Sequence, residues 1–168
     1  LLCFVCLGVA TSGCYAAEPP VRKAKNVIVL LADAGGIPVI NAASWMAYGA
    51  PQKLVFQTWE HIGLSDTSPT GKFVTDSAAG MTAIVTGHKT LNGVISQGPD
   101  GVRGKSDGTP LKTILEYAEE HGLSTGVMSN VSIADATPAA CYAHVNDRAN
   151  WGDIFAQIFS PRFGDGVD

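Results

Sequence analysis

The order of apolar and polar positions along the chain predicts alternating strands and helices. Residues 26–31 form a continuous aliphatic run, which is typical of a strand buried on both faces of a sheet. Residues 124–129 form a second segment of strand length. A helix is predicted between them, because Thr109 can cap it, Pro110 fits its first position and Gly122 ends it. This order of strand, helix and strand predicts an α/β fold around a largely parallel sheet.

The remaining segments continue the alternation. Helices are also predicted at residues 40–48, 138–145 and 151–159, a short strand at 61–66 and a long surface loop at 92–108. On the helix that follows Pro110, the polar face consists of Lys112, Glu116, Glu119 and Glu120, and we expect it to be solvated.

One more predicted helix is almost free of large polar residues. Residues 78–85 are nearly all small or apolar, which indicates a helix buried on most of its sides. Its start, marked by Asp76 and Ser77, would then lie inside the protein. A buried helix start has unpaired N–H groups and the positive end of the helix dipole, and both favour an anion at Ser77. The alternative is that Thr75 or Asp76 simply caps a core helix, and this segment alone leaves both interpretations open.

The composition is that of a globular protein. The 168 residues allow one domain or part of a larger one, and 46% of them are hydrophobic and 15% charged, with a net charge of −4. The 11 basic residues are spread along the chain without forming a patch, so we expect no nucleic-acid partner.

The N-terminal residues have the features of an export signal. Residues 1–10 are apolar, without an initiating Met or a preceding basic segment, and are too short to span a bilayer. We expect residues 1–17 to be a partial signal peptide with a cleavage site at Ala16 and Ala17. A polar spacer follows at 18–24. The protein is therefore expected to be secreted or periplasmic.

The positions of the cysteines favour export without a lipid anchor. Cys14 stands in a weak lipoprotein-type box, but Thr11 fits such a box poorly, so we favour a soluble product over a lipid anchor. After ordinary cleavage only Cys141 remains, so no internal disulfide is expected.

Polar residues follow both predicted strands of the sheet. Asp33 comes after residues 26–31, at a glycine turn, while Asp135 and Thr137 come after 124–129. Ligands of open α/β sheets bind at the carboxyl ends of the strands, so these side chains are candidate metal ligands. Hard oxygen donors suit Mg²⁺ or Zn²⁺. The alternative for Asp33 is a cap on the next helix.

If these loops meet, six residues share one site: Asp33, Asp76, Ser77, Asp135, Thr137 and Arg148. Phosphoryl transfer needs charge neutralisation and positioning more than a proton relay. Two metal ions about 4 Å apart can activate the attacking oxygen and stabilise the leaving one. Arg148 would bind two phosphate oxygens, with Asp76 orienting it.

Four separated motifs then occur in the order found in a known family. They are residues 25–28, 74–79, 86–93 with Thr86-Gly87, Lys89-Thr90 and Asn92-Gly93, and 136–148 with Thr137-Pro138, Ala143-His144-Val145 and Arg148. From about Lys25 onward the chain resembles the N-terminal part of alkaline phosphatases. The resemblance implies a three-layer α/β sandwich, two zinc ions and one magnesium ion, a small phosphate monoester as substrate, and often a homodimer.

The resemblance also implies a role for each candidate residue. Ser77 would attack phosphorus, form a phosphoserine and contact zinc, with inversion at each of the two steps. Asp33 would bridge zinc and magnesium, Thr137 would ligate magnesium, and Asp135 would reach magnesium through water. Arg148 would bind the substrate phosphate, held by Asp76.

Two alternatives remain. A Ser-His-Asp esterase could use Ser77 with His88, His121 or His144, but Ser77 lacks the flanking glycines of a nucleophile elbow. A secreted binding protein with the same fold and no metals is also compatible with the motifs.

The chain departs from the family at two places. The usual glycine, methionine and glycine after the metal-binding aspartate are replaced by Ala34, Gly35 and Gly36. The family's other zinc and magnesium ligands are expected beyond residue 168.

We therefore expect residues 1–168 alone to hydrolyse no phosphate monoester, because half of the implied metal ligands would be missing. A chromogenic phosphate ester, assayed with added Zn²⁺ and Mg²⁺, measures this. Metal-dependent turnover by the isolated chain would contradict the expectation.

Overall fold

The computed structural model describes residues 24–168, and the chain divides into two units after Leu31. Residues 24–31 have no regular secondary structure, and the side chains of Val27, Ile28 and Leu30 are 74%, 83% and 87% exposed. The strand predicted at 26–31 is therefore not formed. A strand is stabilised by hydrogen bonds to a neighbouring strand, and this segment has no such partner among the described residues.

The predictions about export concern residues outside the described part of the chain. The partial signal peptide at 1–17, the cleavage site, the possible anchor at Cys14 and all but the last residue of the spacer at 18–24 lie there. Within residues 24–168, every helix is too short or too polar to cross a bilayer.

The second unit, Ala32–Asp168, consists of short helices joined by long connections. In chain order they are α1 (Ile37–Tyr48), a 3₁₀ helix (Val55–Thr58), α2 (Ser77–Thr86), α3 (Ile114–Glu120), α4 (Ala136–Ala139) and α5 (Trp151–Ala156). Strand pairing among the described residues is limited to three isolated antiparallel bridges, which join Ile95 to Val145, Gln97 to Pro110 and Val102 to Ser106. The predicted parallel sheet is not formed in this part of the chain.

The strands predicted at 61–66 and 124–129 are also unpaired within the described residues. Met128 is 98% exposed. Thr125 makes its backbone contacts with the end of the chain, because its N–H donates to Asp168 Oδ2 at 2.9 Å and its carbonyl accepts from the Asp168 N–H at 3.2 Å. Local features of the sequence predict these strands, but pairing needs a second strand beside each of them.

Helix α2 is formed as predicted and most of it lies in the core, but its start at Asp76 and Ser77, predicted to lie inside the protein, is only half-buried. Asp76 caps it, since Oδ1 accepts from the Ala79 N–H at 3.0 Å. Gly87 ends it with a left-handed φ of 73°, and the Gly87 N–H donates to the Ala83 carbonyl. Its buried positions are Ala78, Ala79, Gly80, Met81, Thr82 and Val85, and it packs against α3 and α4. The prediction of a helix buried on most of its sides is confirmed.

Helix α3 begins later than predicted. Thr113 caps it and forms a capping box with Glu116, which satisfies backbone N–H groups at the helix start. Thr109 is used elsewhere, because its hydroxyl donates to Asp100 Oδ2 at 2.7 Å. Pro110 lies in the bridge to Gln97.

The last two helices are shorter than predicted. The helix expected at 138–145 is the four-residue α4, because the chain then turns so that Val145 pairs with Ile95. The helix expected at 151–159 ends at Ala156.

The surface loop predicted at 92–108 is wrong for its first part, because residues 93–98 are buried. Ile95 exchanges two backbone hydrogen bonds with Val145, at 2.9 and 3.1 Å. The Ser96 N–H donates to Thr82 Oγ1 at 2.9 Å, and the Ser96 hydroxyl donates to the Ala140 carbonyl at 2.7 Å. Burial of this polar segment is tolerated because its polar groups have partners.

Glu116 was predicted on the solvated face of α3, and this prediction is also wrong. Glu116 is 2% exposed, and its Oε1 lies 2.6 Å from His144 Nε2. Its Oε2 accepts from the Thr113 N–H at 2.7 Å, while His144 Nδ1 lies 2.7 Å from the Ser96 carbonyl oxygen. These contacts join α3 to the segments at 93–98 and 141–145.

The network predicts unequal stabilities for two glutamate variants of α3. Glu116→Ala should lower the free energy of unfolding by about 3 kcal/mol, because it removes half of the capping box and leaves a buried His144 nitrogen without its partner. Glu120→Ala removes only a partly exposed contact with Lys112 and should cost less than about 1 kcal/mol. Urea denaturation of both variants measures the difference. Equal losses would contradict the buried network.

Candidate active site

Asp33 lies in a tight turn that leads into α1. The Gly35 N–H donates to the Ala32 carbonyl at 3.0 Å, and a Cβ at Gly35 would lie 2.6 Å from the Ala32 Cβ. Ala34 has a φ of 55°, in the left-handed region that costs a residue with a Cβ about 1 kcal/mol. This is the position at which the family resemblance implies glycine. Helix α1 is preceded by Gly36, without a side-chain cap, so Asp33 does not serve as the helix cap that was its alternative role.

The Asp33 carboxylate brings together two hydroxyls from distant parts of the chain. Asp33 Oδ2 accepts from Ser77 Oγ at 2.9 Å and from Thr137 Oγ1 at 3.1 Å. Ser77 is the first residue of α2, and Thr137 is the second residue of α4. Since α2 packs against α4, the core holds these two hydroxyls on the same side of Asp33.

Asp76 performs both of the roles considered for it. Its Oδ1 caps α2, and its Oδ2 accepts from Arg148 Nη1 at 3.2 Å. The cap and the ion pair are therefore compatible, because each uses a different carboxylate oxygen. The pair places Arg148 beside the residue that precedes Ser77.

Asp135 is the least engaged of the predicted site residues. It occupies the N-cap position of α4, two residues before Thr137, but its side chain accepts no capping hydrogen bond. Within residues 24–168, no hydrogen bond links it to Asp33 or Ser77. Its contact with magnesium stays a prediction.

The donor set fits a hard metal ion in part. Asp33 contributes a carboxylate, and Ser77 and Thr137 contribute hydroxyl oxygens directed at that carboxylate. Mg²⁺ prefers oxygen ligands, and proteins usually hold it through one or two carboxylates together with waters and substrate phosphates. Among the described residues no group of three or more His, Cys, Asp or Glu side chains is positioned to hold a metal. The residues therefore fit a metal site as a partial set of ligands.

The other candidate nucleophiles and bases are differently placed. Burial raises the pKa of the Cys141 thiol to about 11, so it stays protonated at neutral pH. His144 is buried against Glu116, and His121 Nδ1 lies 2.7 Å from the Tyr117 carbonyl oxygen. In the described part of the chain, the hydrogen bond of the Ser77 hydroxyl goes to Asp33 and not to a histidine.

Asn92 is a neighbour of the site that the sequence did not single out for any role. Its Oδ1 accepts from the Asp76 N–H at 3.2 Å. In the sequence it appears only within the Asn92-Gly93 motif of the family resemblance, and such a pair, which is typical of turns, gives no indication of a contact with Asp76.

Comparison with known proteins identifies the family. Residues 24–160 match the family profile described as alkaline phosphatase. The chain belongs to the alkaline phosphatase family.

Curated relatives support this assignment. Streptomycin-6-phosphate phosphatase of Streptomyces griseus is 39% identical over 150 residues, which cover 85% of this chain and 32% of the relative. The alkaline phosphatase of Escherichia coli is 40% identical over 139 residues, which cover 78% of this chain and 28% of the relative. The chain thus spans about a third of the length of these relatives.

Solved structures show the same fold. The alkaline phosphatase of the Antarctic bacterium TAB5 matches 74% of this chain and 34% of its own, with 32% identity and a TM-score of 0.62. A mutant of that enzyme with Mg bound in the M3 site matches with 33% identity and a TM-score of 0.62, over 73% of this chain and 34% of its own. The cold-active enzyme of a Shewanella species gives a TM-score of 0.64 with 32% identity, over 75% of this chain and 31% of its own. The described residues therefore have the alkaline phosphatase fold, over part of its extent.

The two roles of Asp76 can be separated by substitution. Asp76→Asn keeps an oxygen that can accept from the Ala79 N–H but loses the charge that pairs with Arg148, so stability should fall by less than about 1 kcal/mol. Asp76→Ala removes the cap as well and should cost about 1 kcal/mol more. Chemical denaturation compares the two variants. Equal stability of the two would show that the cap contributes nothing.

Proposed function

We propose that the protein hydrolyses phosphate monoesters, with Ser77 as the nucleophile. The observation that supports this most directly is the double hydrogen bond of Asp33 Oδ2 to the hydroxyls of Ser77 and Thr137, with the pair of Arg148 and Asp76 beside it. Family membership adds that the relatives are named as phosphatases.

In the proposed reaction Ser77 Oγ attacks the phosphorus. A bond forms between Oγ and phosphorus while the bond between phosphorus and the ester oxygen breaks. The proton lost by the Ser77 hydroxyl balances the one gained by the ester oxygen, which leaves as the alcohol. Water then attacks the phosphoserine, releases inorganic phosphate and restores the Ser77 hydroxyl. Two inversions leave the configuration at phosphorus unchanged.

Each residue of the site has a defined task in this reaction. Asp33 orients the Ser77 hydroxyl through the hydrogen bond that it accepts. Arg148 binds two oxygens of the phosphoryl group through its guanidinium N–H groups, and Asp76 limits the orientations of that guanidinium. The Ala79 N–H is taken by Asp76, but the positive end of the helix dipole at the start of α2 still favours negative charge near Ser77.

Metal ions belong to the proposal. Asp33, Ser77 and Thr137 would hold them, with Asp135 acting through water, and we propose two Zn²⁺ and one Mg²⁺ in the whole protein. When bound, such ions neutralise phosphate charge and lower the pKa of a hydroxyl. Support comes from the hard oxygen donors of the site and from the related TAB5 structure with bound Mg.

The substrate is proposed at the level of a class, small phosphate monoesters. Export to the periplasm or the exterior and a homodimeric assembly complete the proposal, and both rest on the sequence features and the family resemblance.

Two variants of the complete, metal-loaded protein test the nucleophile. Ser77→Ala should lower kcat for p-nitrophenyl phosphate by at least about 1000-fold while metal content, measured by mass spectrometry, is kept. Arg148→Ala should raise the inhibition constant of inorganic phosphate by about tenfold or more, because a bidentate contact is lost. Near-normal turnover of Ser77→Ala would refute the assignment, and unchanged phosphate affinity would make Arg148 a surface residue.

A chelator separates the phosphatase from the alternative functions. EDTA should abolish a metal-dependent phosphatase and spare a Ser-His-Asp esterase, which can be measured with p-nitrophenyl acetate. A metal-free binding protein would show neither activity and no bound metal.

A further inference from the structure

We propose that Asn92 is a positioning residue, whose side chain binds the segment before Ser77 while the backbone of the next residue, Gly93, binds Arg148, so that the two segments are held together. Its expected effect on turnover rests on the proposed phosphatase function. The proposed holding of the two segments does not rest on that function.

The Asn92 amide makes two hydrogen bonds to one short stretch of backbone. Nδ2 donates to the Val74 carbonyl at 3.0 Å, and Oδ1 accepts from the Asp76 N–H at 3.2 Å. One partner is an acceptor and the other a donor, which fixes the orientation of the amide. A carboxylate of the same size could accept from Asp76 but could not donate to Val74.

The next residue, Gly93, binds the other segment. Its carbonyl accepts from the Arg148 N–H at 2.7 Å. Gly93 has a φ of 81°, in the left-handed region that favours glycine. The Arg103 guanidinium pairs with Asp147, the residue before Arg148, at 3.0 Å.

Asn92 and Gly93 therefore link two backbone segments that, within residues 24–168, have no direct backbone hydrogen bond to each other. The pair of Asp76 and Arg148 is partly exposed, and such pairs contribute less than about 1 kcal/mol. That pair alone holds the segments weakly, whereas hydrogen bonds to the backbone on both sides limit their relative movement. A displacement of about 1 Å at a reacting group can lower a rate about 100-fold.

The test compares Asn92→Ala and Asn92→Asp with Gln57→Ala in the complete protein. Gln57 is a matched control, because its amide also uses both polar atoms: Oε1 accepts from the Leu54 N–H and Nε2 donates to Asn41 Oδ1. Asn92→Asp preserves side-chain size but adds a negative charge, whereas Asn92→Ala loses volume and adds no charge. A defect shared by both variants is therefore explained by neither lost volume nor added charge alone, but by the lost hydrogen bond to Val74.

We expect both Asn92 variants to lower kcat/KM for p-nitrophenyl phosphate by at least about tenfold and to weaken inhibition by inorganic phosphate. Gln57→Ala should stay within about twofold of the unsubstituted protein. Losses in the Asn92 variants no larger than the loss in Gln57→Ala would overturn the effect on catalysis.

Amide hydrogen exchange supplies a readout that is independent of activity. The Asp76 and Arg148 amides should exchange at least about tenfold faster in Asn92→Ala and at an unchanged rate in Gln57→Ala. Unchanged exchange in Asn92→Ala would overturn the positioning role. If the unsubstituted protein hydrolysed no phosphate ester, or Ser77→Ala kept its turnover, the proposed function would fail, and the exchange rates would still decide whether Asn92 holds the two segments.

Discussion

The two carboxylate oxygens of Asp76 bind different partners, the start of helix α2 and Arg148. The arrangement of the candidate site depends on these two contacts. Oδ1 caps α2, and Oδ2 accepts from Arg148. Because Ser77 is the first residue of α2, the cap also fixes the position of the Ser77 hydroxyl relative to Asp33. A cap and a partly exposed ion pair each contribute only about 1 kcal/mol. Their importance lies in geometry, since one carboxylate relates the candidate nucleophile to the candidate phosphate-binding group.

The parts of the fold that the sequence predicts well are those with local signals. Helix α2 is bounded by a cap, a run of small residues and Gly87, all within one continuous segment, and it forms as predicted. The start of α3 was placed too early because two candidate caps compete, Thr109 with Pro110 and Thr113 with Glu116. The second pair matches a capping box, which supplies hydrogen-bond acceptors to two backbone N–H groups at the helix start, whereas a simple cap supplies one. That signal was present in the sequence.

The predictions that failed depend on partners far away in the chain. A strand at 124–129 needs a neighbouring strand, and none pairs with it among the described residues. Glu116 has the spacing of a solvent-facing residue, yet its partner His144 lies 28 residues later and takes it into the core. Hydrophobic periodicity and composition describe one segment of the chain at a time, so they give no information about contacts between distant segments.

The candidate site shows the same contrast between features with local signals and features that depend on distant partners. The contacts of Asp33 with Ser77 and Thr137 and of Asp76 with Arg148 join residues that the sequence placed in one site, because their side chains have recognisable chemistry and stand in recognisable motifs. Their roles in a reaction stay predictions. The side chains that brace them were missed, since Asn92 and Ser96 lie in a glycine-rich stretch that is typical of a surface loop. Such a stretch can be buried only if its polar groups find partners.

Those partners lie on elements that contribute to the site. Asn92 binds the backbone before Ser77, and Ser96 binds Thr82 of α2 and the Ala140 carbonyl directly after α4. Because both residues form hydrogen bonds with these elements, the segment that contains them joins the start of α2 to the end of α4. The buried polar segment therefore performs a task that an apolar core segment of equal volume could not, since it fixes the direction as well as the distance of the elements that present Ser77 and Thr137.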